Sequence, residues 1–248
     1  MNTNTTENNR SADKKSLRKK SLSSEERDPV TDIRLPLMIL FLSAATLTYL
    51  MESPPWITLS ACAIFAATWA TMQQRTLIIA LLRNWRTGWL LIAPVVALLL
   101  YGLLEMAIQT VSASLVESSA LSGQRELPAL FKWLLVLRTS AGSIPPIVLG
   151  LGGGLLLGVG EELFWRGFVQ TRLMMFTSHG IAVLVTALLY GVFYLFTLGP
   201  LAAVLSLFLG IILSMFTLRS RSLLPAVICH TTFLVVSLWL RPDTTMIL

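Results

Sequence analysis

Two adjacent carboxyl groups and one guanidinium stand within a strongly apolar part of the sequence, in the stretch GEELFWRGF. Glu162 and Arg166 are four residues apart, so on a helix they share a face and can form an ion pair. Glu161 points about 100° away from Glu162 and is left without that partner. Because apolar surroundings disfavour the charged form of a carboxyl group, such a residue suits general acid or base chemistry. We therefore predict that Glu161 is functional, whereas a structural ion pair alone accounts for Glu162 and Arg166.

Few other polar side chains interrupt the apolar segments. His230 lies within the run LLPAVICHTTFLVV, whereas His179 falls in a short polar loop. A buried histidine is either a packed core residue or, in an apolar interior, a functional group. Tyr190 and Tyr194, in YGVFY, are also four residues apart and share one helix face. They are either packing aromatics or hydroxyl donors, and the spacing alone leaves both roles open.

The elements that position these residues are predicted to be hydrophobic helices. Of the 248 residues, 54% are hydrophobic and 13% are charged, a composition typical of membrane proteins. Backbone groups cannot stay unpaired in lipid, so the apolar runs are predicted to be helical. They are Leu35–Met51, Trp56–Met72, Trp89–Ile108, Ile144–Val159, Ile181–Phe196, Leu201–Leu218 and Leu223–Leu240. The prediction is an all-α, polytopic membrane bundle of about seven transmembrane helices. It becomes eight if residues 127–138 span the bilayer, but Lys132 and Arg138 favour a position at its interface.

Charge divides the chain and predicts its orientation. Residues 1–34 are basic and polar and are predicted to form a disordered cytoplasmic arm. Residues 35–143 are predicted to hold the first transmembrane helices and a connecting loop, and residues 144–240 a helical core that carries the charged motif. The arm is interpreted as a topology signal rather than as a segment that binds lipid headgroups or nucleic acid. With the N-terminus inside, the later arginines also fall on the cytoplasmic side. They are Arg75, Arg83, Arg86, Arg166, Arg172, Arg219 and Arg221.

The segment GLGGGLLLGVG precedes the charged motif. It lacks the Lys-Ser/Thr ending of a nucleotide-binding loop. Gly150, Gly154 and Gly158 recur every four residues and form a smooth helix face, which predicts close packing of another helix. Cys62 and Cys229 lie in separate apolar runs and are predicted to be buried thiols rather than disulfide partners or metal ligands.

The stretch EELFWR resembles the Glu-Glu-x-x-x-Arg signature of the CPBP family of intramembrane proteases, which includes the CAAX prenyl endopeptidases and bacteriocin-immunity relatives. The resemblance covers roughly residues 144–240. The family's second motif, Phe-x-x-x-His, is matched by YGVFY, with Tyr190 for the Phe and Tyr194 for the His. Its third motif, His-x-x-x-Asn, is matched by HTTFL, with His230 kept and Leu234 in place of the Asn.

The resemblance implies an intramembrane endopeptidase in which Glu161 activates a water molecule that attacks the scissile carbonyl group. Glu162 and Arg166 are then the supporting pair, His230 a polarising or water-holding group, and Tyr194 an oxyanion donor. The family's metalloprotease label would require at least three protein ligands for zinc. With one imidazole left, the available set is Glu161, Glu162 and His230, so a mechanism without metal or other cofactor is favoured.

Two further functions stay open. Tyr194 and Leu234 replace family residues, which fits a degenerate relative that binds a membrane peptide, or acts in immunity or as a scaffold, without cleaving it. Glu161, Glu162 and His230 would also suit a small ion- or proton-coupled transporter, although no repeated set of broken helices supports that function. The expected partners are membrane lipid and a peptide or protein substrate that reaches the cytoplasmic side, not nucleic acid. The expected location is the bacterial plasma membrane, with the N-terminus in the cytoplasm.

Overall fold

A computed structural model of the chain describes residues 31–50, 55–84, 87–122 and 152–239. These residues form seven helical segments and no β-strand, which confirms the predicted all-α fold. The segments are α1 (Thr31–Ala45, continued by a π-helical turn at Thr46–Leu50), α2 (Pro55–Arg83), α3 (Thr87–Ser122), α4 (Gly154–Phe164, continued by a π-helical segment at Trp165–Gln170 and by Thr171–Leu173), α5 (His179–Leu198), α6 (Pro200–Ser220) and α7 (Leu224–Trp239). The basic arm up to residue 30, the segment 127–138 and residues 144–151 of the fourth predicted span lie outside the described residues.

Three helices continue well past the ends of the predicted apolar runs. Helix α2 continues to Arg83, past the predicted end at Met72, with one non-helical residue at Gln74 (φ −136°, ψ 34°). Helix α3 likewise continues to Ser122. The predicted run Ile144–Val159 ends before the charged motif, whereas α4 carries the motif in its interior and ends at Leu173. The prediction was wrong here because hydrophobicity marks only the lipid-facing part of a helix, whose backbone hydrogen bonds continue past it.

The distribution of polarity is that of a protein surrounded by lipid. Large apolar side chains on the outside include Leu99 and Phe208, each more than half exposed, whereas Glu162, Arg166 and His230 are buried. Three helical stretches in the described residues are long and apolar enough to cross a membrane: Thr87–Met106, His179–Leu198 and Ala202–Ser220. Two shorter apolar helices are Ile33–Tyr49 and Leu224–Ser237. A polar interior with an apolar exterior is expected where intramembrane polar groups face the bundle centre.

Helix α4 is positioned centrally by glycines that allow close approach. A Cβ atom at Gly160 would lie 2.9 Å from the carbonyl oxygen of Ala63 in α2. On the side of α7, a Cβ at Gly158 would lie 2.5 Å from Thr231 Oγ1, and one at Gly154 would lie 2.9 Å from Val235 Cγ2. The predicted packing face is therefore confirmed for Gly154 and Gly158, while Gly150 lies outside the described residues. Its consequence is that α4 and α7 meet backbone to backbone beside the charged motif.

One end of the bundle collects the ends of several helices and several arginines. Asn84 Nδ2 donates to the carbonyl oxygen of Arg221 at 2.8 Å, and the Ser222 hydroxyl donates to that of Leu81 at 3.0 Å. These bonds join the C-terminal end of α2 to the turn between α6 and α7. Arg83 and Arg219, in the last turns of their helices, belong to this end too. The helix directions therefore agree with the predicted grouping of these arginines on one side.

Candidate active site

The candidate site lies where α4, α5 and α7 meet. Helix α4 contributes Glu161 and Glu162, α5 contributes Tyr190 and Tyr194, and α7 contributes His230. All five side chains are buried, and the Glu162 side chain has no exposed surface. The structure thus brings together the predicted site residues, although they lie up to about seventy positions apart in the sequence.

Glu162 binds two basic side chains through one carboxylate oxygen. Arg166 Nη1 lies 2.7 Å from Glu162 Oε1, which confirms the ion pair predicted from their spacing. His230 Nδ1 lies 2.8 Å from the same oxygen. Because a carboxylate only accepts hydrogen bonds, Nδ1 carries the hydrogen in this contact. In the neutral imidazole, His230 Nε2 is then the acceptor nitrogen, and it faces away from Glu162 towards Glu161.

Glu161 binds two phenol hydroxyls instead. The Tyr194 hydroxyl donates to Glu161 Oε1 at 2.7 Å, and the Tyr190 hydroxyl donates to Oε2 at 2.6 Å. Glu161 takes no part in the ion pair of Glu162 with Arg166, as expected from their spacing, and two hydroxyls from α5 reach it instead. The sequence left two roles open for the tyrosines, and in the structure both residues act as hydroxyl donors. His230 Nε2 lies 4.0 Å from Glu161 Oε2, so imidazole and carboxyl group face each other without direct hydrogen bonding.

Arg166 lies on the π-helical segment Trp165–Gln170, which directly follows the two carboxylates. Its guanidinium carbon lies 4.7 Å from the centre of the Tyr190 ring, and Nη2 donates to the carbonyl oxygen of Gly210 in α6 at 3.4 Å. The guanidinium thus contacts the carboxylate of one helix, the ring of a second and the backbone of a third. A π-helical turn inside an α-helix is frequent at functional sites, and no sequence signal indicated it.

A row of polar side chains continues from the ion pair along α4. Gln170 follows Arg166 by four residues, and its Nε2 donates to the carbonyl oxygen of Ser214 in α6 at 3.2 Å. Both residues are fully buried. Sequence reasoning missed Gln170, although its spacing of four from Arg166 and eight from Glu162 placed it on the same helix face. The row links the site to α6, which no predicted site residue occupies.

Three of the four carboxylate oxygens considered for a zinc site at Glu161, Glu162 and His230 already have hydrogen-bond partners. Glu162 Oε1 is shared by Arg166 and His230, and both oxygens of Glu161 accept phenol hydroxyls. The candidate ligands are thus directed at one another and at hydroxyls. Among the residues that the structure describes, no group of three His, Cys, Asp or Glu side chains is arranged to hold a metal ion.

The remaining sequence candidates lie around this site without joining its hydrogen bonds. Cys62 and Cys229 are buried free thiols, as predicted. Leu234, one turn beyond His230, packs half-buried against an apolar cluster. His179 is exposed at the start of α5, directly after the capping residue Ser178. Of the two histidines, only His230 belongs to the site.

The comparison with protein families covers this same part of the chain. Residues 143–236 match the family described as type II CAAX prenyl endopeptidase Rce1-like. This segment is an Rce1-like domain of the CPBP intramembrane protease family. Searches of curated proteins and of solved structures found no significant match. The Rce1-like domain contains α4, α5, α6 and most of α7, and therefore every side chain of the site. The match and the apolar exterior together support an integral membrane protein that carries a domain of a protease family.

Proposed function

We propose that the Rce1-like domain is an intramembrane endopeptidase that cleaves a membrane-associated peptide or protein with water activated by Glu161. One observation carries the proposal. Glu161 is a buried carboxyl group that is hydrogen-bonded to neutral hydroxyls and faces an imidazole nitrogen at 4.0 Å, while the adjacent Glu162 takes the guanidinium. A carboxyl group that is not committed to an ion pair can accept and release a proton during the reaction.

The proposed reaction uses only the side chains of this site. Glu161 takes a proton from a water molecule as the water oxygen bonds to the scissile carbonyl carbon. The Tyr194 hydroxyl turns from Glu161 to the developing oxyanion and donates its hydrogen bond there. Glu161 then gives the proton to the amide nitrogen, the C–N bond breaks, and an amine and a carboxylic acid leave. His230, fixed by Glu162, orients the water through Nε2.

The depth of the site supports a substrate that enters the membrane. Glu161 lies roughly 18 Å along α4 from the helix end at Leu173, at about 1.5 Å per residue. That end carries Arg172 and adjoins the basic end of the bundle. We place this end in the cytoplasm of a bacterial plasma membrane, with the N-terminus on the same side. The partners are then lipid and a membrane-associated peptide that reaches the cytoplasmic side, with no metal or nucleic acid.

A second candidate function is a relative that binds a membrane peptide without cleaving it. Two observations favour it. Both carboxylate oxygens of Glu161 already hold hydroxyls, and the side chain of Leu234 cannot donate to an oxyanion. Loss of one oxyanion donor costs about 10²–10³ in rate, so this site would turn over slowly even if it is competent.

The test compares the membrane peptides of cells that express the wild type with those of cells that express Glu161→Gln. Mass spectrometry of new peptide termini identifies cleaved proteins, and a purified substrate in lipid vesicles then gives the rate. We expect Glu161→Gln to lower the rate by at least about 10²-fold, the usual contribution of a general base. Glu105→Gln, on α3, is the matched control for loss of a carboxyl group and should cleave like the wild type.

The outcome also separates the two candidate functions. Equal cleavage by wild type and Glu161→Gln would refute the endopeptidase proposal. If the wild type is inactive and a variant with both Tyr194→His and Leu234→Asn gains cleavage, the non-cleaving relative is the correct function. Proton-coupled uptake that Glu161→Gln abolishes would instead indicate a transporter.

A further inference from the structure

The Tyr190 hydroxyl contacts both reacting groups of the proposed site. It donates to Glu161 Oε2 at 2.6 Å and lies 3.5 Å from His230 Nε2. We propose that this hydroxyl occupies the position between Glu161 and His230 at which the hydrolytic water binds, and that it thereby holds the reaction rate down. The inference rests on the proposed endopeptidase function, and it names Tyr190 as the residue that limits access of water.

The distances explain the competition. A water molecule that hydrogen-bonds to both Glu161 Oε2 and His230 Nε2 has to lie within about 3.2 Å of each. Those two atoms are 4.0 Å apart, so a water that binds both has to lie within about 2.5 Å of the midpoint between them. The Tyr190 hydroxyl lies against the same oxygen and the same nitrogen. A water that enters has to share these two groups with the hydroxyl or displace it.

The two tyrosines differ in this respect, although both donate to Glu161. The Tyr194 hydroxyl bonds to the other oxygen, Oε1, at 2.7 Å. In the described part of the chain, Tyr190 is the tyrosine whose hydroxyl reaches His230. Removing either hydroxyl takes one neutral donor from Glu161, but only removal of the Tyr190 hydroxyl opens the space beside the imidazole. This makes the pair a matched comparison within one site.

The ring of Tyr190 is held in place, so its hydroxyl cannot readily turn away. The Trp165 and Tyr194 rings pack edge-on at 5.5 and 5.0 Å between centroids. The Arg166 guanidinium lies over the ring at 4.7 Å, and a Cβ atom at Gly210 would lie 3.2 Å from Tyr190 Cδ1. A phenylalanine at position 190 would keep all these ring contacts and lose the oxygen atom alone. Tyr190→Phe therefore tests the hydroxyl without creating a large cavity.

The experiment measures cleavage by full-length wild type, Tyr190→Phe and Tyr194→Phe in lipid vesicles, on a substrate found by the terminus comparison above. We expect Tyr190→Phe to raise kcat by about tenfold, which corresponds to the release of roughly one hydrogen bond. Tyr194→Phe should instead lower kcat by about 10²–10³-fold, because Tyr194 is the proposed oxyanion donor. The gain must disappear when Glu161→Gln is added to Tyr190→Phe. An unchanged or lower rate in Tyr190→Phe overturns the inference.

A second readout separates failure of this inference from failure of the proposed function. A water-soluble carbodiimide labels Glu161, and mass spectrometry gives the labelling rate without any need for cleavage. Faster labelling in Tyr190→Phe than in Tyr194→Phe supports occupation of the water position by the Tyr190 hydroxyl, even if no variant cleaves and the endopeptidase proposal has failed. Equal labelling of the two variants, with no cleavage by either, refutes the inference as well. Thermal unfolding of each variant confirms that it is folded.

Discussion

Glu161 and Glu162 are neighbours in the sequence and both are buried, but the structure surrounds them differently. One oxygen of Glu162 accepts hydrogen bonds from both a guanidinium and an imidazole. Each of the two oxygens of Glu161 accepts a hydrogen bond from one phenol hydroxyl. Ionic partners fix the charge of a buried carboxylate, since loss of that charge would leave the partner uncompensated. Neutral donors fix the orientation of a carboxyl group without fixing its charge. The comparison assigns Glu162 to holding the site together and leaves proton transfer to Glu161.

Helix geometry and the position of α4 explain how adjacent residues come to differ so much. Successive helical side chains diverge by about 100°, and α4 has a different helix on each side. Glu161 points towards the tyrosines of α5, whereas Glu162 points towards His230 of α7 and the next turn of its own helix. Two adjacent carboxyl groups therefore suffice to give two environments, provided that the neighbouring helices differ in their polar residues.

The largest difference in stability is expected when the two carboxyl groups are replaced, one at a time, by amides. Glu162→Gln should lower the free energy of unfolding by about 3–5 kcal/mol, because it leaves the buried Arg166 guanidinium without a charged partner. Glu161→Gln should cost no more than about 1 kcal/mol, because an amide oxygen still accepts a phenol hydroxyl. The measurement is thermal or denaturant unfolding of both purified variants in the same detergent.

The two variants control for each other, since each replaces one oxygen by NH2 in the same turn of α4. Equal destabilisation would contradict the division of roles between the carboxyl groups. A greater loss for Glu161→Gln would show that the hydroxyl contacts, and not the ion pair, hold the three helices together.

A smaller effect should separate the two nitrogens of His230. An asparagine at this position can place its amide nitrogen close to the position of Nδ1, which binds Glu162. A glutamine places its amide nitrogen close to the position of Nε2. His230→Gln should therefore lower the free energy of unfolding by about 1.5–3 kcal/mol, the contribution of a hydrogen bond to a charged group. His230→Asn should lose less stability but should cleave more slowly, because the group that faces Glu161 is gone. Similar unfolding of both variants would contradict the assignment of His230 to Glu162, and the exposed His179→Ala serves as the unperturbed control.

The sequence allowed the local parts of this arrangement to be predicted. Spacing alone predicted the ion pair between Glu162 and Arg166, and apolar runs predicted where helices form, because both depend on residues near one another in the chain. The partners of Glu161 could not be predicted in this way. They depend on the rotation of α5 against α4, which the packing of many side chains decides. The binding of His230 to Glu162 rather than to Glu161, and the π-helical segment at Trp165–Gln170, are tertiary features of the same kind.

A further loss of stability, smaller than that of Glu162→Gln, should come from substitution of the glycine that brings α7 to the ion pair. Gly158→Ala would place a methyl group 2.5 Å from Thr231 Oγ1 and 2.9 Å from Thr231 Cα, so the helices have to move apart. We expect a loss of about 1–3 kcal/mol in the free energy of unfolding, the range for overpacked interiors.

Gly102→Ala, on α3, is the matched control, since no atom lies within 4 Å of a Cβ there and alanine favours the helix. Because Thr231 follows His230, the shift in Gly158→Ala should lengthen the contact of His230 with Glu162 and leave the tyrosine contacts of Glu161 intact. Unfolding of Gly158→Ala at the same free energy as Gly102→Ala would show that close approach of α4 and α7 does not maintain the Glu162 side of the site.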